Sequence, residues 1–160
     1  MIKKTFLILS LLALLASCTG IDPTTWNKKI VDHYNKSIDE IESFEEMISA
    51  EKVGDANAIK AILDKGASIQ TQLDESINTI TVQELPDDAE AYQESVLEVL
   101  KSMKDQVSIG LRFTNITEEI ADSEIENYAD KYDAASQVTS KKVETFIQQQ
   151  LKFAQSNGIE

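Results

Sequence analysis

The stretch from Asp22 to Ile48 reads DPTTWNKKIVDHYNKSIDEIESFEEMI, and its apolar residues recur at steps of three and four. This spacing places them along one side of an α-helix, because an α-helix has about 3.6 residues per turn. An aspartate at the N-cap and a proline in the first turn predict that the helix begins at Asp22-Pro23. Gly54 is expected to end it. The apolar stripe consists of Trp26, Ile30, Tyr34, Ile38, Ile41, Phe44 and Ile48.

Two further helices are predicted between Asp55 and Phe113. The second begins near Asp55, and residues 81–85 lead to Pro86, which marks the clearest break in the chain. Asp87 or Asp88 is then expected to cap the third helix. The two apolar stripes consist of Ile59, Ile62, Leu63, Ile69, Leu73, Ile77 and Ile80, and of Tyr92, Val96, Val99, Leu100, Met103, Val107, Leu111 and Phe113.

The boundary before the fourth helix is less sharply marked. Residues 114–117 are compatible with a bend, a loop or a continuing helix, and we place the turn near Asp122. Ser123 followed by Glu126 has the spacing of a capping box. Asn157-Gly158 is expected to end the helix. Its apolar stripe consists of Ile125, Tyr128, Tyr132, Ala135, Val138, Val143, Phe146, Ile147 and Phe153.

The chain contains few residues that break helices, with five glycines and two prolines. Short connections make neighbouring helices antiparallel. The sequence therefore predicts an all-α protein, an elongated up-down-up-down four-helix bundle over residues 23–157, with a long three-helix bundle containing one broken helix as the alternative. Gly66 and Gly110 fall inside predicted helices, where close helix approach or a bend that opens a groove would explain them.

The N-terminus has the layout of a secretion signal. Lys3 and Lys4 precede an apolar run from Phe6 to Leu15, which is followed by two small residues. A helix needs roughly 20 consecutive apolar residues to cross a bilayer, and this run has about ten. We therefore expect residues 1–17 to be a removable signal peptide.

The sequence Leu15-Ala16-Ser17-Cys18 resembles the bacterial lipobox at all four positions. The resemblance implies cleavage before Cys18, a covalent lipid on this only cysteine, and a short lipidated linker over residues 18–22. Two or three acyl chains hold a protein stably on a membrane. Thr19, where the sorting rule has Asp for retention, implies the outer membrane if the host has one, on either its periplasmic or its surface face.

Residues 153–159, at the other end of the chain, resemble the tails of small helical surface lipoproteins of bacteria. This resemblance covers seven residues and implies no particular activity.

The charge of the mature chain restricts its partners. Removal of residues 1–17 takes away two lysines and leaves 13 basic and 28 acidic side chains, a net charge of −15. Nucleic acid and anionic headgroups repel such a body. We therefore expect no nucleic-acid partner, a membrane contact through the lipid anchor, and another envelope protein as the binding partner.

No group of residues predicts catalysis or metal binding. His33 is the only histidine, and the chain has no nucleophile motif for it to serve. Ile30 stands where a di-iron Glu-x-x-His motif would require glutamate. The acidic clusters at residues 40–46 and 84–90 lack the spaced acids and central glycine of an EF-hand loop. We expect no enzyme, no metal and no cofactor beyond the covalent lipid.

These observations predict a non-enzymatic binding or structural module, anchored in the cell envelope. The alternative is a carrier that holds a small ligand or a metal in the bundle interior. Aromatic residues are enriched at protein interfaces, although core and boundary packing is the favoured explanation for those of this chain. The candidate partner contacts are Trp26, Tyr34, Tyr92, Tyr128 and Tyr132.

Overall fold

The computed structural model describes residues 20–50, 55–116 and 122–159. Four α-helices and one 3₁₀ helix account for most of these residues, and no strand occurs among them, so the predicted all-α four-helix bundle is confirmed. The elements are α1 (Pro23–Ala50), α2 (Ala56–Thr81), α3 (Glu90–Gly110), a 3₁₀ helix (Leu111–Asn115) and α4 (Asp122–Asn157).

Three helix ends form as the local sequence predicts. Asp22 caps α1 by accepting a hydrogen bond of 2.9 Å from the Thr25 backbone N–H. Asp55 caps α2 through the N–H groups of residues 57 and 58. Gly158 follows α4 with a φ of +64°, and the Ile159 N–H donates to the carbonyl of residue 154 at 2.9 Å. This hydrogen bond and the left-handed glycine form a Schellman motif.

The predicted start of the third helix was wrong. Asp88 has a φ of +61°, and the N-cap of α3 is Ala89, which makes no side-chain capping bond. The left-handed backbone at Asp88 lets the chain turn tightly, so that Pro86 and Ala89 are buried under the end of the bundle. Neither Asp87 nor Asp88 therefore caps the helix.

Two predictions around residues 111–126 were also wrong. The third helix does not continue to Phe113, because α3 ends at Gly110 and the chain tightens into the 3₁₀ helix. This tightening places the Phe113 ring against Tyr132 of α4, with centroids 6.0 Å apart. Asp122 is already helical, so Ser123 lies inside the first turn of α4 and does not cap it.

Helix α3 is the centre of the bundle. It packs against α1, α2 and α4, whereas α2 and α4 lie on opposite sides of it and α1 makes only slight backbone contact with α4. The buried apolar core runs along α3 from Tyr92 to Val107. Its other large members are Trp26, Ile30, Ile41, Phe44, Ile62, Ile69, Leu73, Ile80, Phe146 and Phe153.

Close approach explains both glycines inside the predicted helices. A Cβ atom on Gly110 would lie 2.6 Å from Cε1 of Phe44 and 3.0 Å from Cε2 of Tyr132. A Cβ atom on Gly66 would lie 2.6 Å from Cδ2 of Leu111. Side chains from neighbouring elements therefore occupy the space that an alanine methyl group would need.

The aromatic core shows which helix termini lie together. The Trp26 ring near the start of α1 is 5.4 Å from Tyr92 at the start of α3 and 5.4 Å from Phe153 near the end of α4. Gln93 in α3 donates to the carbonyl oxygen of Ile80 at the end of α2. We call this region the N-terminal end of the bundle, and the region around the 3₁₀ helix the far end.

Candidate functional site

Interhelical ion pairs connect each helix to the next in the chain. The α1–α2 pair is Glu40 with Lys65, the α2–α3 pair is Asp74 with Lys104 at 2.6 Å, and the α3–α4 pair is Glu98 with Lys142 at 2.9 Å. Within the described ranges no ion pair joins α1 to α4. The seam between the first and the last helix therefore differs from the other three.

A surface groove follows this seam, and we call it the α1–α4 groove. Its lower half, nearer the N-terminal end of the bundle, has a volume of about 280 Å³. Its upper half, nearer the far end, has a volume of about 370 Å³, and the two halves share Glu45 and Ser136. From Tyr34 to Ser49 it extends about 22 Å at 1.5 Å per residue. The remaining lining residues are Ile38, Ile41, Glu42, Ile48, Gln106, Phe113, Ala129, Tyr132, Asp133, Thr139, Ser140 and Val143.

The sequence of α4 explains why the groove is open. Its inward-facing positions 132, 136, 139, 143 and 146 are spaced by three and four residues, as in coiled coils. Two of these positions carry short polar side chains, Ser136 and Thr139. These short side chains lie between the larger Tyr132 and Phe146. Thr139 is buried and shares a hydrogen bond of 2.9 Å with Ser102 of α3. Small residues thus let α4 approach α3 closely and leave space on the side of α1.

A polar network forms the floor of the groove. Gln106 is 2% exposed, and its Nε2 donates to Glu45 Oε1 at 2.7 Å and to the Tyr132 hydroxyl at 3.2 Å. The same hydroxyl donates to Glu45 Oε1 at 3.1 Å. Three helices, α1, α3 and α4, therefore meet at one carboxylate oxygen.

The described charged side chains that line the groove are all acidic. Burial raises the pKa of the Tyr132 hydroxyl, the hydrogen bond from Gln106 opposes this, and the Glu45 carboxylate beside it raises the pKa further. The phenol therefore stays neutral and acts as a donor. Among the described residues that line the groove, Glu42, Glu45 and Asp133 are acidic and none is basic. A bound positive charge would meet no competing cation there.

The structure places the five candidate aromatic residues in three different surroundings. Trp26 and Tyr92 are each 1% exposed and belong to the core, so a partner cannot reach them in this conformation. Tyr34 and Tyr132 are half-buried and line the α1–α4 groove. Tyr128 is half-buried beside Phe113 at the far end, and Cys18 lies outside the described residues.

Glu45 and Gln106 were missed as site residues at the sequence level. Gln106 carried a usable signal, since it follows Val99 and Met103 at helical spacing and so occupies an inward position of α3. A glutamine there requires a buried hydrogen-bond partner. Glu45 is one of several acids in α1, and nothing local distinguishes it from the others.

His33 lies in a second surface groove, between α1 and α2. Its Nδ1 is 3.0 Å from the Ser76 hydroxyl, and burial lowers the pKa of the imidazole, as does nearby Lys36. This contact combines a base with a hydroxyl, but Ser76 is only 4% exposed. In the described part of the chain no carboxylate bonds to the ring to orient it, so the pair forms an interhelical hydrogen bond without the geometry of a catalytic triad.

The part of the chain that the structure describes holds neither a metal-ligand cluster nor a helix able to span a bilayer. Among residues 20–50, 55–116 and 122–159, no three metal-ligating side chains cluster, and no helix is long and apolar enough to cross a membrane. No known family model, curated protein or solved structure matches the chain.

Proposed function

We propose that the chain is a lipid-anchored protein of the cell envelope that acts as a non-enzymatic binding module, with the α1–α4 groove as its binding surface. The lipid attachment at Cys18 rests on the lipobox-like sequence that precedes it. The observation that supports the binding surface is the groove floor, where Glu45, Gln106 and Tyr132 form a partly buried network.

The dimensions of the groove suit a helical segment of a partner. About 22 Å corresponds to four turns of α-helix. Helices commonly bind other proteins by laying an apolar stripe into a groove between two helices. The half-buried Ile38 and Val143 offer apolar contacts in the lower half, and Ile48 and Phe113 do so in the upper half.

The charge of the groove favours a basic partner segment. A lysine or arginine opposite Glu42 and Glu45 would add attraction, and an arginine could also stack on the face of Tyr34 or Tyr132. A second copy of the chain is disfavoured, because two bodies with a net charge of −15 repel each other. The proposed partner is therefore another envelope protein with a basic amphipathic helix.

A second candidate function is carriage of a small ligand. Two observations favour it: the volumes of the groove halves, about 280 and 370 Å³, lie at the lower end of the range of ligand pockets, and Tyr34 and Tyr132 supply aromatic walls. The ligand would lie in the groove, because apolar side chains fill the bundle interior along α3. A thermal shift on adding metals, haem or lipids, lost in Tyr132→Ala, would favour this function.

Site-specific photo-crosslinking in native membranes tests the binding module. A photo-reactive residue replaces Ser136 on the groove floor, and the matched control replaces Leu63, which is exposed on α2. We expect one protein to be captured from position 136 and not from position 63, and its capture to be lost in Cys18→Ala. Equal capture from both positions would contradict the groove as the binding surface, and no capture from either would contradict the binding module.

A further inference from the structure

The α2–α3 connection, at the N-terminal end of the bundle, presents two apolar side chains to solvent. Both lie in the connection between α2 and α3, where Val82 is 82% exposed and Leu85 is 37% exposed. Single exposed apolar residues are common on protein surfaces. These two are three residues apart, in a connection whose other exposed members are polar: Glu84, Asp87 and Asp88.

The connection that carries these residues is firmly attached to the bundle. Pro86 is buried beneath the helices, and Gln93 Nε2 donates a hydrogen bond of 2.6 Å to the carbonyl oxygen of Ile80. The turn therefore has a defined conformation, in which Val82 and Leu85 lie on its outer side. The exposure of these two side chains is therefore a property of the folded connection.

The N-terminal segment leaves the bundle at this same end. Gly20 is the first described residue, and Cys18 lies two residues before it. An extended chain spans at most about 3.6 Å per residue, so a lipid on Cys18 is attached within about 7 Å of the Gly20 Cα. Packed helix axes lie about 8–10 Å apart, which places the α2–α3 connection close to the attachment point.

We propose that the N-terminal end of the bundle rests on the lipid bilayer, with Val82 and Leu85 inserted at the level of zwitterionic headgroups. This inference depends on the lipid attachment proposed above. The lipid brings the end to the membrane, and the bilayer then removes the two apolar side chains from water. Glu84, Asp87 and Asp88 flank them, so anionic lipids weaken the contact.

This contact has a consequence for the α1–α4 groove. A single tether leaves the bundle free to tilt over the surface. A second contact through the α2–α3 connection fixes the bundle with its far end away from the membrane. The groove then extends outward from Tyr34, at its end nearer the membrane, to Ser49, and is accessible to a partner protein.

A fluorescent label at position 82 tests the membrane contact. The mature lipidated protein carrying Val82→Cys is labelled with an environment-sensitive dye and reconstituted into phosphatidylcholine vesicles. Cys18 is the only natural cysteine, and a lipid on its sulfur leaves the introduced thiol as the single labelling site. Leu63→Cys is the matched control, because Leu63 is 45% exposed and lies about 27 Å along α2 from Thr81.

We expect the dye at position 82 to emit at shorter wavelength than in detergent, to be quenched by doxyl lipids and to be shielded from aqueous iodide. The dye at position 63 stays accessible to iodide. Equal iodide quenching at the two positions overturns the membrane contact but leaves the anchor intact. Vesicles with phosphatidylglycerol should reduce the shielding at position 82, and stronger shielding there would contradict the charge argument.

The unsubstituted chain separates this inference from the proposed function. If its Cys18 accepts the dye, the sulfur is free and the proposed lipid attachment is wrong. If Cys18 is blocked while position 82 remains fully accessible to iodide, the attachment is supported and only the membrane contact fails.

Discussion

Gln106 in α3 donates a hydrogen bond of 2.7 Å from its buried amide to Glu45 Oε1 in α1. This bond joins α3 to α1, and the Tyr132 hydroxyl of α4 donates to the same oxygen across the α1–α4 seam, where the described residues form no ion pair. A buried amide is costly when it loses its acceptor. The network therefore both stabilises the α1–α4 groove and sets the negative charge on its floor.

Two substitutions of Glu45 should separate the contribution of its hydrogen bonds to stability from the contribution of its negative charge. Glu45→Ala removes the acceptor shared by Gln106 and Tyr132, so we expect the free energy of unfolding to fall by about 1–3 kcal/mol. Glu45→Gln keeps an acceptor oxygen and should lose less than about 1 kcal/mol. Urea denaturation measures both. Glu75→Ala on the exposed face of α2 is the control and should stay within about 0.5 kcal/mol; an equal loss there would contradict a structural role for the network.

High pH should destabilise the bundle through Tyr132. Burial and the Glu45 carboxylate raise the pKa of this hydroxyl in the folded chain, whereas an unfolded tyrosine titrates near pH 10. Above about pH 10 the unfolded chain releases a proton that the folded chain retains, so the free energy of unfolding falls as pH rises. Urea denaturation between about pH 9 and 11.5 should show a shallower fall for Tyr132→Phe. The two proteins should show the same pH dependence below about pH 9, where the hydroxyl is protonated in both states.

The two glycines should respond differently to alanine. At Gly110 the new methyl group meets the buried ring of Phe44, so we expect Gly110→Ala to destabilise the bundle by about 1–3 kcal/mol. At Gly66 it meets the end of the Leu111 side chain, which is half-exposed and able to move. Alanine there also gains up to about 1 kcal/mol in helix propensity, so Gly66→Ala should be close to neutral. Equal losses of stability for the two variants in thermal denaturation would contradict the proposed difference in rigidity between the Phe44 ring and the Leu111 side chain.

Much of the helical architecture could be predicted from the sequence, because helix periodicity and N-capping are local. The caps at Asp22 and Asp55 need only a side chain and the next turn of backbone. The start of α3 could not be predicted in this way. Asp88 has a positive φ in a turn whose Pro86 and Ala89 are buried beneath the bundle, and that packing depends on residues distant in the chain.

The candidate site was predictable only in part. The tyrosines were identified as candidates by residue type, yet their burial differs: Tyr92 lies in the core and Tyr132 lines the groove. This difference depends on the register in which each helix packs against its neighbours. Glu45 is 61 residues from Gln106 in the chain, so no local pattern could indicate that they share a hydrogen bond.

A titration of His33 by NMR should give a midpoint below its ordinary pKa of 6.5. Burial lowers the pKa of the imidazole, Lys36 lowers it further and Asp32 opposes them. His33 is the only histidine, so a single ring signal reports it. Lys36→Gln should raise the midpoint and Asp32→Asn should lower it.

The same shift predicts how stability depends on pH in the acid range. Between the lowered folded pKa and 6.5 the unfolded chain binds the proton more readily, so the free energy of unfolding falls as pH drops below about 6.5 towards the folded pKa. The useful quantity is the difference in pH dependence between the natural chain and His33→Gln, because this difference isolates the contribution of the imidazole. In the NMR titration, a midpoint at or above 6.5 would show that the His33 ring is solvated.

Truncation of Phe153 should report on the N-terminal end of the bundle through Trp26, the only tryptophan. The two rings lie 5.4 Å apart and Phe153 is buried, so Phe153→Ala should cost about 3–5 kcal/mol and shift the native Trp26 emission to longer wavelength. Phe113→Ala removes a half-buried ring at the far end and should cost less, without changing that emission. Because packed contacts act over a few ångströms, an emission shift from Phe113→Ala would mean that the two ends are coupled. Binding in the α1–α4 groove would then alter the end that we place on the membrane.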